Sequence, residues 1–425
     1  MRVLVTGANG FLGSRLVDAL RDAGHEPVLA VRNIASVDDA MAVACDMARD
    51  TEPQVWKERL ERIDAVVNCA GILRETRADT FQSVHVDAPL ALFRACMARG
   101  VRRVIQISAL GDPSDGEFIA SKHRFDDALA ALDLDWLVLR PGLVYSAHGA
   151  FGGTALLRAM AAQPMLLVLP SDGMQRLQPL AAEDLAQLVL AALARPNVRG
   201  LTLQAVGPQV LTLRDYQCAW RAWFGLREAR VIPLPKWLVD ATIAIGEWWG
   251  RGPVCRVIAN LLKRDRIGDE NAVSRLQATL GVVPRTLQRA LRERPMKWSD
   301  LLEARWYVLR PALLSVLAFL WIASAVIGVT TAPIIAQAQL QALPEPMVRP
   351  LAIATSLLDF VLGALLAFGV RVRMVLTLML LMVLGYTLVI SVLAPSHWLD
   401  PFGGVLKNIL IAAVLGALLF LEPRR

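Results

Sequence analysis

Hydrophobic and polar residues are distributed differently in the two parts of the chain. Up to about Trp306, short apolar runs alternate with charged and polar residues, whereas beyond Arg310 the apolar runs are long and nearly free of charge. A helix of about 20 apolar residues crosses the hydrocarbon core of a bilayer. Four runs of this length follow one another: Pro311 to Thr330, Leu351 to Val370, Met374 to Ala394 and Val405 to Leu421. We therefore predict a first domain at residues 1–300 and a four-helix transmembrane domain at residues 301–425.

In the N-terminal segment, the spacing of apolar residues is first that of a strand, then that of a helix, and then again that of a strand. Val3 to Val5 is a short apolar run of the buried-strand type, and apolar residues recur at helical spacing from Leu12 to Leu20. Gly24 supplies a helix stop, and Val28 to Val31 is a second apolar run. Strand, glycine-rich turn, helix and strand make a βαβ unit. The pattern predicts an α/β fold with a Rossmann-type, doubly wound parallel sheet.

Three glycines, Gly7, Gly10 and Gly13, occupy the turn of this unit in the pattern TGxxGxxG. The first glycine permits a tight turn, the second allows the backbone to approach a pyrophosphate, and the third lets the helix pack on the strand. Free N–H groups at the start of the helix then face the phosphate oxygens. Glycines in a plain surface loop are the alternative, but the strand–turn–helix context favours a dinucleotide site.

Five segments resemble the short-chain dehydrogenase/reductase superfamily in its extended or atypical branch. They occur in the order found in that family: TGANGFLG, VVNCAG, VIQISALG, LVLRPGLVY and DGMQRLQPLAAEDLAQLVLAAL. The resemblance covers most of the first 295 residues. It implies an NAD(P)-binding domain whose smaller, substrate-side part lies mainly at residues 145–295.

The resemblance also implies a set of cofactor contacts. By family position, Asp46 should face the adenine amine, and Asn68 to Gly71 should line the ribose and pyrophosphate. The cofactor-binding residues that we expect are Thr6, Gly7, Asn9, Gly10, Phe11, Leu12, Gly13, Arg32, Asp46, Asn68, Ala70, Gly71 and Lys122.

Arg32 closes the second predicted strand and bears on the choice of cofactor. An acidic residue at this position would bind the ribose hydroxyls of NAD and repel a phosphate, whereas a guanidinium can clamp a 2′-phosphate. A solvated surface arginine is the alternative interpretation. We expect NADP(H), with NAD as the alternative cofactor.

The catalytic signature of the resembled family is interrupted in the segment FIASK. In that family a tyrosine and a lysine four residues later share one face of a helix. The lysine binds the nicotinamide ribose and lowers the pKa of the tyrosine, which then works as an acid or base. Lys122 is present here, but Phe118 occupies the position of the tyrosine and cannot transfer a proton. Whether the chain is an active enzyme is therefore open at this stage.

Other side chains are candidates for the missing proton transfer. Ser108 corresponds to the serine of the family, although a shift of one position would place Ala109 there instead. Tyr145 follows the RPG strand end, and we include it with Lys122 and Ser108 as a catalytic candidate. Weaker candidates, because single histidines are more often packing or surface residues, are His85, His123 and His148.

Composition narrows the classes of partner. The chain has 55% apolar residues, a mean hydropathy of +0.45 and a formal net charge of +7. No basic cluster is interleaved with aromatic residues, so we expect no nucleic-acid partner. The five cysteines are far apart without a CxxC pair, and no metal site is predicted.

The positive charges indicate an orientation in the membrane. Arg305 and Arg310 precede the first apolar run, Arg371 and Arg373 separate the second from the third, and Arg424 and Arg425 follow the fourth. The positive-inside rule then places both chain ends in the cytoplasm. The N-terminal sequence also lacks the pattern of a cleavable signal peptide. We expect a multi-pass protein of the cell inner (cytoplasmic) membrane, with a cytoplasmic N-terminal domain.

Five tryptophans precede the basic segment RVIANLLKRDR: Trp220, Trp223, Trp237, Trp248 and Trp249. Two interpretations are open. The segment is typical of a helix lying among lipid headgroups. Alternatively, the tryptophans pack the interior of a cap on the first domain.

The final 120 residues resemble the DoxX-like membrane family through SLLDFVLGALL and DPFGGVLKNILIAAVLGALLFLEPR. This resemblance implies an association with quinone-linked redox chemistry. Asp359 lies inside the second apolar run, where an unpaired carboxylate is costly, and Lys407 is its candidate partner. We interpret this pair as structural in preference to a proton or quinone site.

Two functions from different classes follow from these features. The first is a membrane-anchored NADP(H)-binding oxidoreductase that acts on a lipid-soluble partner such as a quinone or an isoprenoid. The second is a non-catalytic nucleotide-binding scaffold, or an assembly or regulatory protein of a membrane redox complex, which Phe118 favours. A transporter-like role is weaker, because the apolar runs show one carboxylate and no repeated broken helices.

Overall fold

The computed structural model describes residues 1–37, 39, 41–249, 265, 267–339, 345–393, 395–399 and 403–422. These residues form two compact units, Met1–Arg305 and Trp306–Arg425.

Thirteen strands lie in the described part of the first unit. In chain order they are Arg2–Thr6 (β1), Glu26–Val31 (β2), Ala42–Ala44 (β3), Ala65–Asn68 (β4), Arg103–Ile107 (β5), Asp135–Pro141 (β6), Val144–Tyr145 (β7), Leu166–Pro170 (β8), Arg176–Leu177 (β9), Leu180–Ala181 (β10), Leu201–Ala205 (β11), Leu211–Thr212 (β12) and Arg230–Leu234 (β13). Seven of them form one parallel sheet in the order β11-β6-β5-β4-β1-β2-β3. The strand order reverses between β1 and β4, which is the Rossmann-type topology predicted from the sequence.

Helices of the first unit cover both faces of this sheet. In chain order, the α-helices in the described part of the whole chain are Phe11–Asp22 (α1), Pro53–Trp56 (α2), Ala88–Arg99 (α3), Glu117–Ala130 (α4), Gly152–Ala161 (α5), Ala182–Leu193 (α6), Leu213–Trp223 (α7), Lys236–Trp249 (α8), Ala272–Leu280 (α9), Leu287–Arg292 (α10), Trp298–Gln339 (α11), Glu345–Ala367 (α12), Val372–Leu393 (α13) and Gly404–Leu421 (α14). A π-helical turn, Gln82–Asp87, leads into α3, and short 3₁₀ turns occur at Ile34–Ser36, Pro113–Asp115 and Pro395–Leu399.

The two faces of the sheet carry separate cores because side chains alternate along a strand. Val3 and Val5 of β1 pack with apolar residues of α1, α6 and α9. Leu4, between them, packs on the other face with residues of α2, α3 and α4. The sheet is therefore buried on both faces, as parallel sheets are.

The smaller part of the first unit, at the residues expected to form the substrate side, has its own core. It contains the paired strands β7–β10, β8–β13 and β9–β12 together with α5, α7 and α10. Trp220 is 1% exposed within this core, and Trp223 packs against it. These two residues agree with the cap interpretation, whereas Trp237 is 69% exposed. The side chains of Trp248 and Trp249, and the basic segment except Asp265, lie outside the described residues.

Four helices, of which the first begins at the end of the first unit and the others lie in the second, are long and apolar enough to cross a membrane. These candidate spans are Trp298–Thr330, Arg349–Ala367, Val372–Val392 and Gly404–Leu421. The prediction of four helices of membrane-spanning length is confirmed. Large apolar side chains such as Leu388 and Phe420 are exposed on the outside of the bundle, where lipid would cover them.

The expected pairing of Asp359 with Lys407 is wrong. Oδ2 of Asp359 lies 3.4 Å from the hydroxyl oxygen of Ser324 on the neighbouring span. No ion pair joins Asp359 to Lys407 within the part of the chain that the structure describes. Within the described residues, Asp359 therefore has a hydroxyl neighbour on another span in place of the expected cation.

Candidate active site

A cavity of about 660 Å³ opens where the order of the strands reverses. Its walls come from the segments that directly follow β1, β4, β5 and β6. In open α/β sheets, ligands bind at this position, outside the carboxyl ends of the strands. Lining residues from these four segments include Gly7 and Gly10, Gly71 and Ile72, Ser108 and Ala109, and Gly142 and Leu143.

The glycine turn is built so that two of its positions exclude side chains. Gly7 has a φ of +65°, and a Cβ placed there would lie 3.1 Å from the backbone nitrogen of Ala70. A Cβ on Gly13 would lie 2.1 Å from the carbonyl oxygen of Gly7. The close approach of α1 to β1 therefore requires glycine at position 13.

The start of α1 is left open for an anion. Gly10 is the N-cap of this helix, and no side chain caps it. The first-turn N–H groups of an α-helix have no intrahelical partner, and they carry partial positive charge. Because Gly10, Phe11, Leu12 and Gly13 all line the cavity, these N–H groups fit the diphosphate of a dinucleotide. The residues present thus fit a nicotinamide dinucleotide.

Thr6 and Asn68 do not line the cavity, which corrects their expected role as direct contacts. The Thr6 hydroxyl donates to Oδ1 of Asn68 at 2.5 Å, and the Asn68 amide donates to Oε1 of Gln106 at 2.7 Å. Oδ1 of Asn68 also accepts from the backbone N–H of Ala70 at 3.2 Å. Asn68 therefore connects three adjacent strands and positions Ala70 and Gly71, which do line the cavity.

Arg32 lies at the edge of the cavity, just beyond β2, with its side chain 59% exposed. Nη2 is 3.3 Å from Oδ1 of Asp79, and Nε is 3.6 Å from Oδ1 of Asp46. Asp46 itself does not line the cavity, although its neighbours Cys45 and Met47 do. Two carboxylates next to one guanidinium weaken its attraction for a phosphate. This geometry supports a nicotinamide dinucleotide in general rather than NADP in particular.

Lys122 is buried, and its ammonium reaches the cavity. Nζ donates to the carbonyl oxygen of Ile107 at 3.1 Å. No carboxylate lies within 4 Å of Nζ among the described residues. Burial lowers the pKa of Lys122 to about 8, although Asp126 and Cys69 act in the opposite direction. The amine is thus poised near neutral pH, as groups at functional sites often are.

Phe118 lines the cavity one helical turn before Lys122, as their spacing predicts. Its ring packs edge-on against His85, with 5.6 Å between ring centres, and against Phe81 at 6.2 Å. The Nζ atom of Lys122 is 6.0 Å from the centre of the Phe118 ring. The position that carries a phenol in the resembled family is therefore filled by an apolar ring beside the lysine.

Both ring nitrogens of His85 take part in hydrogen bonds within the protein. Nε2 accepts from the backbone N–H of Ile72 at 3.1 Å, so the neutral ring carries its proton on Nδ1. Nδ1 lies 2.9 Å from Oγ of Ser121, to which it donates. Burial, together with the charge of Lys122, lowers the pKa of His85 well below its ordinary value. His85 therefore stays neutral and holds the loop after β4 to helix α4.

Ser108 and Ala109 both line the cavity, so the structure leaves Ser108 as the residue that brings a hydroxyl. This hydroxyl donates to Oδ2 of Asp126 at 2.7 Å, and Nε of Arg140 donates to the same oxygen at 2.9 Å. Burial raises the pKa of Asp126, while Ser108 and Arg140 oppose that shift. The proton of Ser108 is thus directed away from a ligand in the cavity.

The structure corrects the expectation for Tyr145. Its side chain is 1% exposed and does not line the cavity. Its ring packs edge-on against Trp220 and Tyr216, at 6.1 and 6.3 Å between ring centres. Burial raises the pKa of Tyr145 well above its ordinary value. This phenol is a core residue and not a candidate proton donor.

The remaining histidine candidates also lie outside the cavity lining. Nε2 of His123 is 3.0 Å from the carbonyl oxygen of Ala109, within the protein interior. Nδ1 of His148 is 3.2 Å from Oε1 of Glu183, at the surface. Neither histidine has its ring in the cavity.

The rest of the cavity wall is apolar, and sequence reasoning did not identify its residues. They come from four separate segments of the chain: Leu73, Leu110, Leu143, Phe151, Leu157 and Leu177. Among the described lining residues, the charged side chains are those of Arg32 and Lys122. No local motif marks the apolar set, because its members are brought together by the fold.

Two family comparisons define the class of protein. Residues 3–201 match the NAD dependent epimerase/dehydratase family, and residues 318–416 match the DoxX-like family. The chain therefore joins an NAD-dependent epimerase/dehydratase-type Rossmann domain to a DoxX-like domain with four candidate membrane helices.

Particular relatives come from reductases, a respiratory complex and sugar-nucleotide enzymes. A ceramide reductase of Caulobacter vibrioides is 30% identical over 47% of this chain and 62% of its own length. Subunit 9 of the NADH dehydrogenase [ubiquinone] 1 alpha subcomplex of Rattus norvegicus is 26% identical, over 54% of this chain and 62% of its own length. The chain thus spans less than two thirds of either relative.

The Rossmann-like fold has counterparts among solved structures. A UDP-N-acetylglucosamine 4-epimerase of Bacillus cereus superposes with a TM-score of 0.51. It is 18% identical, and the match covers 69% of this chain and 94% of that one. At this level of identity, the likeness shows the shared Rossmann-like fold alone.

Proposed function

We propose that this protein is a membrane-anchored, NAD(P)H-dependent oxidoreductase that acts on a hydrophobic, quinone- or isoprenoid-like acceptor. The observation that carries the proposal is one continuous cavity. It contains the uncapped glycine turn, the buried ammonium of Lys122 and a wall of apolar side chains. When bound, the nicotinamide dinucleotide would supply the hydride.

The cofactor half of the cavity is formed by the turn after β1 and the loop after β4. Gly7, Gly10 and Gly13 would receive the diphosphate, while Gly71 and Lys122 would hold the nicotinamide ribose. Arg32 would receive a 2′-phosphate, and NADP(H) is therefore the proposed cofactor, with NAD(H) as the alternative. The carboxylates of Asp79 and Asp46 favour that alternative, because they lie beside the Arg32 guanidinium and weaken its attraction for a phosphate.

The acceptor half of the cavity indicates an uncharged substrate. Recognition of a second nucleotide, such as a sugar nucleotide, calls for cationic side chains that pair with its phosphates. The two cations among the described lining residues lie in the cofactor half. The acceptor half instead offers Leu110, Leu143 and Leu157, which would bury apolar surface at about 25 cal/mol per Å². A lipid-soluble acceptor fits this wall, and the four candidate spans hold the protein at the membrane where such a molecule partitions.

The test uses the full chain in detergent. We expect oxidation of NADPH or NADH, followed by absorbance at 340 nm, when a ubiquinone analogue with a ten-carbon tail is added. Leu110→Gln should raise KM for the analogue by about tenfold and leave the affinity for nucleotide unchanged, because it makes an apolar contact surface polar. Leu201→Gln, at a surface position outside the cavity, is the matched control. Tight nucleotide binding without turnover of quinone or isoprenoid carbonyls would refute the proposal.

A second function is favoured by Phe118 and by the relative in respiratory complex I. If the nucleotide only stabilises a scaffold of a redox complex, saturation with NADPH should stabilise the folded chain without any turnover. At a hundredfold excess over Kd this linkage amounts to about 2.7 kcal/mol. The same sample would then show a raised unfolding temperature and a flat trace at 340 nm.

A further inference from the structure

Reduction of a carbonyl group requires a proton as well as a hydride. The side chain of Phe118 has no ionisable group and cannot donate this proton. This inference rests on the proposed function and asks which residue supplies that proton. Among the described residues that line the cavity, six side chains carry a hydrogen on nitrogen, sulfur or a hydroxyl and belong to a type that can act as an acid: Arg32, Cys45, Cys69, Ser108, Lys122 and Thr154.

Five of these side chains are unsuited to the step. The Ser108 hydroxyl already donates to Asp126. Burial raises the pKa of the Cys45 and Cys69 thiols to about 12, so both are weaker acids than an ammonium whose pKa is about 8. An arginine such as Arg32 is effectively never deprotonated in proteins. The Thr154 hydroxyl is an ordinary alcohol, which is far less acidic than an ammonium group.

We propose that the ammonium of Lys122 is itself the proton donor to the oxygen of the acceptor. An ammonium group carries three N–H donors, and Nζ uses one of them on the carbonyl oxygen of Ile107. Two donors are left, one for a ribose hydroxyl and one for the acceptor. The packing of Phe118 beside Nζ places this ammonium next to the position where the resembled family carries its phenol.

The step balances in atoms and charge. The carbonyl carbon of the acceptor would gain the hydride released from a C–H bond of the bound dihydronicotinamide, and the π pair of the C=O bond would move to the oxygen. This oxygen forms an O–H bond with a proton from Nζ, whose N–H bond breaks. Lys122 is left as a neutral amine and regains a proton from water. In a quinone, loss of the added hydrogen as a proton and protonation of the second carbonyl oxygen would then complete the quinol. The acceptor is reduced by two electrons and the nicotinamide is oxidised.

The surroundings of Lys122 make it a better acid than an ordinary lysine. Burial is the largest influence on its pKa and lowers it to about 8. Three titratable groups face the ammonium from three elements. Asp126 lies one turn further along α4, Cys69 follows β4, and neutral His85 comes from the π-helical turn. A general acid whose pKa lies near the working pH transfers protons most efficiently.

The first measurement does not depend on turnover. Full-length protein in detergent is labelled with [6-¹³C]lysine, and the Lys122 signal is assigned by its loss in Lys122→Arg. The chain has few lysines to resolve: Lys57, Lys122, Lys236, Lys263, Lys297 and Lys407. We expect the Lys122 signal to titrate near pH 8, well below the ordinary lysine pKa of about 10.4. A Lys122 signal that titrates at the ordinary lysine value would overturn the proposal.

The second measurement separates proton donation from ribose binding. Lys122→Arg keeps a cation and N–H donors but does not release a proton. It should bind NADPH within about threefold of the parent while turnover of the quinone analogue falls at least about 100-fold. Lys122→Ala should regain turnover when ethylamine is added. Lys236→Arg, at the surface, is the control and should turn over normally.

The outcomes distinguish this inference from the proposed function. A parent protein that turns over no acceptor refutes both. Parent turnover that survives in Lys122→Arg refutes the inference alone. Joint loss of nucleotide binding and turnover, with no rescue by ethylamine, would show that Lys122 only holds the ribose.

Discussion

At the scale of single residues, Arg32 shows that neighbouring charges change the cofactor preference inferred from a side chain. A guanidinium beyond the second strand indicates NADP when the sequence is considered alone. In the folded chain the same guanidinium lies beside Asp79 and Asp46. A 2′-phosphate would have to compete with these carboxylates, although the high exposure of Arg32 leaves room for a second partner.

Arg32→Ser should change the preference between the two nucleotides. Loss of one charge-assisted pair costs about 1.5–3 kcal/mol, so we expect Kd for NADPH to rise at least about tenfold and that for NADH to change little. Isothermal calorimetry on the full chain in detergent measures both constants. Arg49→Ser is the matched control, because Arg49 also lies 3.6 Å from Asp46 but does not line the cavity. Equal losses for the two nucleotides would contradict a role in binding the phosphate.

The sequence predicts contacts well where helical spacing or strand ends decide them. Phe118 and Lys122 line one cavity because they lie four positions apart on α4, and Ser108 lines it because it follows β5. Tyr145 also follows a strand end, yet it is buried by Tyr216 and Trp220, which come from a helix about 70 positions later. Such distant packing leaves no local trace in the sequence.

At the scale of elements, the turn between β1 and α1 is the part of the site with the tightest steric constraint. Helix α1 approaches the strand so closely that the carbonyl oxygen of Gly7 occupies the space of a Cβ on Gly13. The same helix places its uncapped N-terminus in the cavity. Stability and nucleotide binding therefore depend on the same residue.

Gly13→Ala should weaken both properties together. A methyl group 2.1 Å from the Gly7 oxygen forces the helix to move, and overpacking of this kind costs about 1–3 kcal/mol. We expect a lower unfolding temperature and at least a tenfold loss of NADPH affinity, measured by thermal unfolding and calorimetry. Gly100→Ala is the control. It meets no atom within 4 Å but has a φ of +74°, so it should cost about 1–2 kcal/mol without affecting nucleotide binding. Unchanged NADPH affinity in Gly13→Ala would show that α1 does not hold the diphosphate.

Elements with a clear period were predictable, and elements without one were not. The first βαβ unit and the four membrane helices follow from runs of apolar residues that are long enough to show a pattern. The two-residue strands of the substrate-side part, such as Val144–Tyr145, are too short to have one. The π-helical turn Gln82–Asp87, which carries His85, also has no signature in a single sequence. The apolar half of the cavity depends on just such elements.

At the scale of the whole molecule, the charges at one end of the membrane bundle support an orientation. Arg310, directly before the apolar run Pro311 to Thr330, pairs with Glu422, which follows the fourth span, at 2.5 Å. Arg373, in the first turn of the third span, donates to the carbonyl oxygen of Glu422 at 3.1 Å. These contacts bring two cations from two segments together at one end of the bundle. By the positive-inside rule we propose that this end faces the cytoplasm and that the turn Pro395–Leu399 lies on the opposite side.

Single-cysteine labelling tests this orientation on the full chain in intact cells. Ser396→Cys lies in the turn between α13 and α14, and Val370→Cys lies in the arginine-flanked turn between α12 and α13; both positions are exposed. We expect a membrane-impermeant maleimide to label Ser396→Cys in intact cells and Val370→Cys only after permeabilisation. Both variants are made in a chain whose five natural cysteines are replaced by serine, and this cysteine-free chain is the control that should not react before or after permeabilisation. Labelling of Val370→Cys in intact cells would show that the orientation is the reverse of the one proposed. The nucleotide domain would then lie outside the cytoplasm, away from its NAD(P)H pool, and the proposed function would fail with it.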